Sequence, residues 1–595
     1  MLHTRNLAAI AAVSCPTWLA VWLMVSMAGC GPSSSPHTEN PTGDNAASPA
    51  FERLAAKYLS EYAASHPVTA TEWGVHDHDG AVSDLSQAGI QARVTALRAT
   101  LAELETIEPS TLGPDLALDH RLLDHALRAE LLQLEEIRMW QRNPRLYNGL
   151  IARSMATLVD RIFAPLDQRI DSLISRLDAI PGVVAAAQQN LRDVPPLWVR
   201  LAVDSTRGTV SFMRTDLLAA LDAQGMAQLD PAKAEAFRAS HQRALAAVEG
   251  YARWLESELL PAATGDYRLG RDRLARLLRY AEHIDVPIDE LRDRNETAIR
   301  EYKAWVERTA AEIDPGKPAI EIVAAITNDV PPADQLLETA RGYINASLDL
   351  IRDRQIVTLP SDKAPDVRPT PKYRREGFAS MSSPGPFEKV ATQAYYNITT
   401  VDPEWDETKA RQHLTYFNYA GLLGVTIHEA FPGHHLHSLY LDQITSDLRK
   451  VLIADTLSEG WAHYTEQMMV DEGIGKGDPR IRLGQLRRAL QRHARWYATL
   501  ALHAYDEPLE QVIQRYQEIA YFAAFPAQRE CERGTYDAIY LAYAFGRMEI
   551  YRLRDAYRQH LKSKGETFTM RDFHDRFLRL GLPPTLAREA MLSSR

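Results

Sequence analysis

Cysteine is scarce in this 595-residue chain, which carries only three, at positions 15, 30 and 531. So few cysteines exclude a disulfide framework, and Cys531 is predicted to be a small, buried apolar residue. An excess of basic charge is also lacking, since the net charge is −11 at pH 7. This balance argues against nucleic acid as the main partner. Beyond the N-terminal leader, no apolar stretch reaches the length of a membrane span.

An export signal is predicted for residues 1–30. Arg5 supplies a positive start, residues 8–27 are mostly apolar, and Met27-Ala-Gly-Cys30 places small residues before a cysteine. Small residues at this point favour cleavage over a transmembrane anchor. The ending resembles a bacterial lipobox, which implies a lipid on Cys30 that attaches the exported protein to the cell envelope. In a Gram-negative host this would be the outer membrane or the periplasmic face. Residues 31–50, rich in serine and proline, are predicted to form a flexible linker.

From residue 51 onward the apolar residues recur mostly with the period of a helix. Residues 116–139 and 287–313 each carry an apolar stripe, and Pro287 suits the start of a helix. The pattern changes at residues 355–405, where Gln355–Leu359 and Val390–Ile398 are predicted to be extended. We therefore predict a mainly α fold over 51–595 with a small β element. An N-terminal lobe is expected over about 51–350 and a C-terminal catalytic lobe over about 351–595.

The most unusual stretch is Thr426–His437, which holds four histidines and one glutamate: His428, Glu429, His434, His435 and His437. Neutral imidazole is a common zinc ligand, and a His-Glu pair followed by a further histidine is typical of zinc hydrolases. In the usual motif the second histidine follows the first by four residues, but here that position is Pro432. On an unbroken helix, residues six apart differ by about 240° and about 9 Å. His428 and His434 would then be too far apart to share one metal ion.

A break in the helix would solve this problem. Pro432 cannot donate a hydrogen bond to the His428 carbonyl, and Gly433 tolerates unusual dihedral angles. We therefore predict a bulge at residues 431–433 that brings His434 back towards His428. His435 is the alternative second ligand.

A third ligand is sought in Ser458–Glu466, which has a helical pattern. Glu459 is predicted to be that ligand, because this helix can pack beside the first one. Asp455, one turn earlier, is a candidate to orient a ligand imidazole. His463 is a further candidate without an assigned role, and His437 is expected to lie behind the ligands or at the surface.

These motifs resemble those of the bacterial domain-of-unknown-function 885 family. The resemblance rests on His428-Glu-x-x-Pro-Gly-His-His435 and Glu459-Gly-Trp-Ala-x-Tyr-x-Glu466. It extends to Thr71–Asp79, Ala394–Asn397 and Tyr543-Ala-Phe-Gly546, and it covers most of residues 51–595. Two departures are visible. Asp537-Ala-Ile539 stands where many relatives have Pro-Gly-Gln, and His463 replaces a common apolar residue.

The family is similar to zinc peptidases of the His-Glu…Glu type, the gluzincins. This likeness implies a large, two-lobed, helical zincin-like fold with a small β element near the active site. It also implies that Tyr543 stabilises the oxyanion formed during hydrolysis. Arg533 is expected to form a structural ion pair, and a role in binding a substrate carboxylate is the alternative.

The predicted function is that of a zinc-dependent hydrolase. His428, His434 and Glu459 would hold Zn²⁺, and Glu429 would act as general base towards a zinc-activated water. The gluzincin likeness favours a lipid-anchored, extracytoplasmic peptidase that cleaves short peptides. Two alternatives stay open: a zinc hydrolase of non-peptide amides or esters, and a non-catalytic lipoprotein that retains a peptidase fold.

Overall fold

The computed structural model describes residues 47–371 and 377–593. Helix accounts for 72% of the structure, with one small three-stranded sheet, so the prediction of a mainly α fold is confirmed. No helix in the described ranges is long and apolar enough to cross a membrane. The predicted export signal with Cys30 lies outside the described residues. Residues 31–46 of the predicted linker also lie outside them. The first helix begins at Ala47, inside the span predicted as linker.

Within the described ranges, fifteen helices precede the sheet and eleven follow it. The first group is α1 Ala47–Ser65, α2 Pro67–Trp73, α3 Gln87–Leu104, α4 Pro114–Leu132, α5 Met139–Arg142, α6 Pro144–Asp160, α7 Leu166–Asn190, α8 Pro196–Arg214, α9 Asp216–Ala223, α10 Pro231–Trp254, α11 Leu260–Ala262, α12 Arg271–Glu282, α13 Ile288–Ile313, α14 Ala319–Thr327 and α15 Leu336–Arg354. The second group is α16 Glu407–Tyr416, α17 Tyr419–Glu429, α18 His434–Leu441, α19 Asp447–Val451, α20 Asp455–Asp471, α21 Pro479–His503, α22 Leu509–Ala520, α23 Ala524–Gly534, α24 Ala542–Ser563, α25 Met570–Leu580 and α26 Pro584–Leu592.

Proline marks the start of several helices, because its fixed φ suits the first turn and its missing N–H is not needed there. Pro67, Pro114, Pro144, Pro196 and Pro231 each occupy such a position. Pro287 stands immediately before α13, as the sequence predicted. The predicted stripe at residues 116–139 lies on α4, which is continued by a π-helical turn at Gln133–Ile137.

The sheet has the order β1-β3-β2, with β1 Asp366–Pro369, β2 Ala379–Ser382 and β3 Tyr395–Ile398. β3 runs parallel to β1 and antiparallel to β2, and Tyr396 pairs with Val367 on one side and Met381 on the other. The extended segment predicted at Val390–Ile398 is therefore a strand only in its last four residues. Because β2 is an edge strand, one of its sides is not paired within the sheet.

The strand predicted at Gln355–Leu359 is wrong. Ile356 and Val357 are buried, but side chains of helix α25 satisfy two of the backbone polar groups. His574 Nδ1 lies 2.8 Å from the carbonyl oxygen of Ile356, and Thr358 N–H donates to Asp575 Oδ1 at 2.9 Å. Side chains thus take the place of a neighbouring strand, which a pattern of apolar residues cannot reveal.

The described residues form five apolar cores, and the two largest lie in different parts of the chain. Helices α6, α7, α8 and α10 surround one of them. The other is built from α15, the sheet, α17, α18, α20 and α24 to α26, and it includes Phe431, Leu457 and Trp461. Residue 350, near which the boundary between the two lobes was predicted, lies inside α15, and the division into lobes stays a prediction.

Helices α20 and α24 approach each other closely enough for their backbones to touch. A Cβ added to Gly460 would lie 2.8 Å from the Cα of Gly546, and a Cβ added to Gly546 would lie 2.3 Å from the Thr456 carbonyl oxygen. Glycine at both positions permits this contact, which places Glu459 on α20 next to the turn of α24 that carries Tyr543.

Thr71–Asp79, the N-terminal signature of the family resemblance, packs against the loop between β2 and β3. Phe387 N–H donates to the Trp73 carbonyl oxygen at 2.8 Å, and His76 Nε2 lies 3.2 Å from Glu388 Oε2. Gly74 has a φ of 84°, and a Cβ there would lie 2.3 Å from Glu388 N. The segment therefore fixes the loop that follows β2.

Candidate metal centre

The first part of the site is the connection between α17 and α18. Helix α17 ends at Glu429, the Phe431–Pro432 peptide bond is cis, and α18 begins at His434. The predicted bulge within one helix is therefore wrong, because the helix stops and a second one starts. Gly433 is required in the connection between α17 and α18, because a Cβ at this position would lie 1.8 Å from the His428 carbonyl oxygen.

Three predicted ligands come together at this connection. His428 Nε2 and His434 Nε2 each lie 3.3 Å from Glu459 Oε2, and the three atoms lie within 4.8 Å of one another. His435, the alternative ligand, lies outside the group, and its Nε2 is 3.0 Å from the Lys363 carbonyl oxygen. Of the two candidate second ligands, the fold thus brings His434 to His428.

Helix α20 is held in place at both sides of Glu459. Thr456 N–H donates to Glu282 Oε2 at 2.8 Å, which satisfies one free donor of the first turn. Trp461 Nε1–H donates to the Pro432 carbonyl oxygen at 2.8 Å. The Glu-Gly-Trp run therefore supplies a candidate ligand, a close helix contact and a tie to the connection between α17 and α18.

Glu466 has a role that the sequence analysis did not assign. It lies two turns after Glu459 on α20, and its Oε1 is 2.9 Å from His428 Nδ1. Arg488 Nε donates to Glu466 Oε2 at 2.7 Å, and Arg492 Nη2 donates to Oε1 at 3.2 Å. Burial opposes ionisation of Glu466, but these two guanidinium groups hold its pKa well below the usual range. The ionised carboxylate fixes the proton of His428 on Nδ1, which leaves the Nε2 lone pair facing Glu459.

The electrostatics of the three side chains call for a cation between them. Burial alone would lower the pKa of His434, but the Glu459 carboxylate raises it to about 9. Burial likewise opposes ionisation of Glu459, yet the two imidazoles hold its pKa well below the usual range. No residue in the described ranges forms a hydrogen bond with Glu459 Oε2. Either a proton on His434 or a metal ion can meet this need.

Two of the three donor-atom distances fit a shared metal ion. Zinc ligands lie about 2.0–2.2 Å from the ion in tetrahedral arrangement, so two of them are roughly 3.4 Å apart. Glu459 Oε2 lies 3.3 Å from each imidazole nitrogen. Two imidazoles and one carboxylate form a donor set found in catalytic zinc sites.

Glu429 and Tyr543, the predicted catalytic residues, line the same cavity as the three candidate ligands. Glu429 Oε2 accepts the backbone N–H of Met381, in β2, at 2.8 Å. The Tyr543 ring is nearly parallel to that of His428, with 6.5 Å between centroids. Burial, followed by the charge of Glu459, raises the pKa of Tyr543, so its hydroxyl keeps its proton at neutral pH.

The remaining candidates have other surroundings. Asp455 has no hydrogen bond to an imidazole among the described residues, and burial followed by the Glu459 charge raises its pKa to about 7. Arg533 forms an ion pair with Asp537 at 3.0 Å. His463 is completely buried and its Nδ1 is 3.6 Å from Glu466 Oε1, beyond hydrogen-bonding distance. His437 is buried behind His434 and touches the cavity, and its burial lowers its pKa to about 4.

The cavity in front of these groups has a volume of about 1510 Å³. β2, α16, α17, α21 and α23 supply most of its wall, and α6 and α8 contribute residues from the N-terminal half. A space of this size exceeds that of a typical small-ligand pocket. It can hold several residues of an extended chain.

The fold and the site define a mainly helical protein with a candidate His–His–Glu metal centre in a large cavity. Residues 67–591 match the family described as "Bacterial protein of unknown function (DUF885)". The chain belongs to this family, which confirms the resemblance seen in its motifs.

Two solved structures share the fold. A "putative lipoprotein of unknown function" from Shewanella oneidensis is 25% identical, with a TM-score of 0.76 over 91% of this chain and 100% of the other. A "putative lipoprotein" from Colwellia psychrerythraea is 18% identical, with a TM-score of 0.74 over 91% of this chain and 98% of the other. No curated protein matches the sequence.

Proposed function

We propose that this protein is a zinc-dependent hydrolase of short peptides, with a gluzincin-like arrangement of its active site. The observation that carries the proposal is the convergence of His428, His434 and Glu459 within 4.8 Å. These three side chains line a cavity that Glu429 and Tyr543 also line. A metal ligand set, a general base and a hydroxyl donor are the groups that metal-assisted amide hydrolysis requires.

Each side chain has a distinct task in this proposal. His428, His434 and Glu459 would hold the ion, which when bound supplies a Lewis acid for a carbonyl and lowers the pKa of water. Glu466 keeps the proton of His428 on Nδ1, so that Nε2 remains a ligand.

Glu429 is suited to accept a proton. Its Oε2 is engaged by Met381 N–H, and the described residues donate no hydrogen bond to its Oε1. The backbone contact orients the carboxylate without neutralising it. Tyr543, protonated at neutral pH, would donate its hydroxyl hydrogen to the oxyanion of the tetrahedral intermediate.

The edge strand favours a peptide over another amide or an ester. Ala379, Ser380 and Met381 of β2 line the cavity, and β2 has a sheet neighbour on one side only. An extended peptide can add to such an edge through backbone hydrogen bonds. A small amide or ester would leave most of the 1510 Å³ unfilled.

The non-catalytic alternative would use the same three side chains without a metal ion. The raised pKa of His434, about 9, means that a protonated imidazole can neutralise Glu459 without any metal. In that case the three side chains would be a buried ion pair, and the cavity would be a binding site alone.

Metal analysis of the purified mature chain, combined with a peptide library whose products are identified, tests the proposal. We expect about one zinc ion per chain, cleavage of short peptides, loss of cleavage on chelation and recovery with added zinc. A chain that takes up no zinc would support the ion-pair alternative. A zinc-loaded chain that cleaves no peptide would require the same assay on amides and esters.

We also propose that the protein is lipid-anchored at the cell envelope through Cys30. The lipobox-like Met27-Ala-Gly-Cys30 and the description of both structural neighbours as lipoproteins support this. Mass spectrometry of membrane-extracted protein should find Cys30 acylated. Cys30→Ser protein that stays in the membrane fraction with the mass of the wild type would contradict the anchor.

A further inference from the structure

Seven arginines line the cavity, and four of them are paired with carboxylates of the described residues. Arg488 and Arg492 share Glu466, at 2.7 and 3.2 Å. Arg495 binds Glu530 at 2.7 Å, and Arg533 binds Asp537 at 3.0 Å. Their charges are therefore used within the protein, and they are poorly placed to attract a charged substrate.

Arg487, which also lines the cavity, differs from these neighbours. In residues 47–371 and 377–593, no carboxylate forms an ion pair with it, and its buried Nε has no hydrogen-bond acceptor. Its guanidinium lies 4.9 Å from the centre of the Phe522 ring. Burial, followed by the charge of Arg488, lowers the pKa of Arg487 to about 10. It therefore remains charged at neutral pH while lacking an anion within the described fold.

The position of Arg487 relative to the candidate metal centre is set by its neighbour in sequence. Arg488 binds Glu466, and Glu466 binds His428. A Cβ added to Gly424 would lie 2.8 Å from Arg488 Cδ, so α21 packs directly on the helix that carries His428. Arg487 is thus fixed on the same wall, one residue away from this chain of contacts.

The half-buried guanidinium of Arg487, with its Nε buried beside an aromatic ring, is not fully satisfied by the described residues. Its buried Nε–H loses hydration without gaining an acceptor, although the Phe522 ring attracts the positive charge. A planar guanidinium is, however, well matched to a carboxylate, which it can bind with two parallel hydrogen bonds. The ring of Phe522 would shield such a pair from water.

We propose that Arg487 and Phe522 form a subsite for a carboxylate of the substrate, so that the preferred peptides are anionic. The carboxylate belongs either to the C-terminus or to an acidic side chain. The substrate class rests on the proposed peptidase function, whereas the subsite itself can be tested by binding alone.

The test is calorimetric titration of the chelator-treated mature chain, in which no metal ion competes for the carboxylate and no hydrolysis takes place. Three N-acetylated tripeptides serve as probes: trialanine with a free C-terminus, its C-terminal amide, and that amide with a central glutamate. Arg487→Gln removes the charge, and Arg487→Lys keeps the charge without the planar fork. Arg480→Gln is the matched control, because Arg480 lies exposed at the start of α21 and pairs with Asp478.

We expect the wild-type chain to bind at least one of the anionic peptides about tenfold or more tightly than the neutral amide. Arg487→Gln should abolish this preference, Arg487→Lys should keep part of it, and Arg480→Gln should leave it unchanged. A preference for the free C-terminus identifies a terminal carboxylate, and a preference for the glutamate peptide identifies a side chain.

The proposal is overturned if the wild type has no preference for an anionic peptide, or if Arg487→Gln keeps that preference. Thermal melting checks that each variant folds. If Arg487→Gln does not fold, the binding preference is measured with Arg487→Lys instead. If Arg487→Gln loses the preference and the wild-type protein never binds zinc, the subsite is supported and the peptidase function is rejected. Zinc-dependent cleavage without the preference would do the reverse.

Discussion

Two regions of this molecule place histidine against carboxylates, and they do so with opposite results. In the N-terminal signature, the ring nitrogens of His76 lie 3.0 Å from Asp79 and 3.2 Å from Glu388, and its ring stacks on Phe163 at 3.9 Å. In the central motif, the described residues give His428 a hydrogen-bonding partner only at Nδ1. Its Nε2 faces Glu459 Oε2, which itself lacks a hydrogen bond to any described residue.

The comparison separates a structural histidine from a candidate ligand. At His76 each ring nitrogen has its own carboxylate, and the contacts join the N-terminal signature to the loop after β2. At His428 the Glu466 carboxylate fixes the tautomer. The donor atoms of His428, His434 and Glu459 converge, but they form no hydrogen bonds with one another. Histidine density alone does not distinguish the two regions; the unsatisfied atoms do.

The largest effect that can break this comparison is expected from His434→Ala. Removing one of three protein ligands should reduce the zinc content from about one ion per chain to nearly none and abolish turnover, as elemental analysis and a peptide assay would record. His435→Ala and His76→Ala are the controls and should keep their zinc. Zinc retained in His434→Ala, or lost in His435→Ala, would show that the ligand set is wrong.

Glu429→Gln should leave the metal and remove the proton acceptor. The amide oxygen of glutamine can still accept Met381 N–H, so the side chain should keep its place. Loss of a general base typically slows a reaction by about 10²–10⁴-fold. Single-turnover rates on zinc-loaded protein would measure this, and near-wild-type turnover would contradict the assignment of the base.

Glu466→Gln should lower the affinity of the site for zinc, although Glu466 is not itself a candidate ligand. Loss of a carboxylate that orients a ligand imidazole typically costs about 10–100-fold in metal affinity. It also leaves Arg488 and Arg492 buried without their anion, which should lower the melting temperature. Glu530→Gln is the matched control, because it breaks a similar buried pair with Arg495. Competition with a zinc chelator should show weakened binding only in Glu466→Gln.

The smallest effect concerns the other region. Burial tends to raise the pKa of Glu388, but N–H donors of Val390 and Ala391 and the His76 ring lower it overall from 4.5. A depressed pKa adds stability above the unfolded value, and this stability is lost as the pH falls through the folded value.

Glu388→Gln should therefore lower the melting temperature by a few degrees at pH 7, with zinc content unchanged. The difference from wild type should shrink at pH 4 and below, where the wild-type carboxylate takes up protons. A difference that is the same at both pH values would mean that the ionised form of Glu388 contributes nothing to stability.

The sequence predicted which candidate ligands lie together, because they belong to two short motifs. His428, His434 and Glu459 were chosen by residue type and spacing, and the fold brings their donor atoms within 4.8 Å of one another. The break at Pro432 was also foreseeable, although its form, two separate helices, was not. Glu466 was missed, yet a signal existed, since seven residues after Glu459 is the same face of a helix.

Other features depend on contacts between distant segments. Residues 355–359 do not form a strand, because side chains of α25, more than 200 residues later, bond to their backbone. Only the folded structure shows that no carboxylate of the described residues forms an ion pair with Arg487. The helical fold itself followed from periodicity, because apolar stripes repeat within each helix.

The hydrogen bond between Met381 and Glu429 limits how this protein can be divided. A fragment that starts near residue 351 would contain every predicted ligand, the base and Tyr543. It would lack Trp73 and His76, which hold the loop following β2, and β2 in turn holds Glu429. In such a fragment the three candidate ligands would remain, while Glu429, the proposed base, would lose the strand that positions it. An exchange of N-terminal halves between relatives is therefore expected to move Glu429 even where no exchanged residue touches the candidate metal centre.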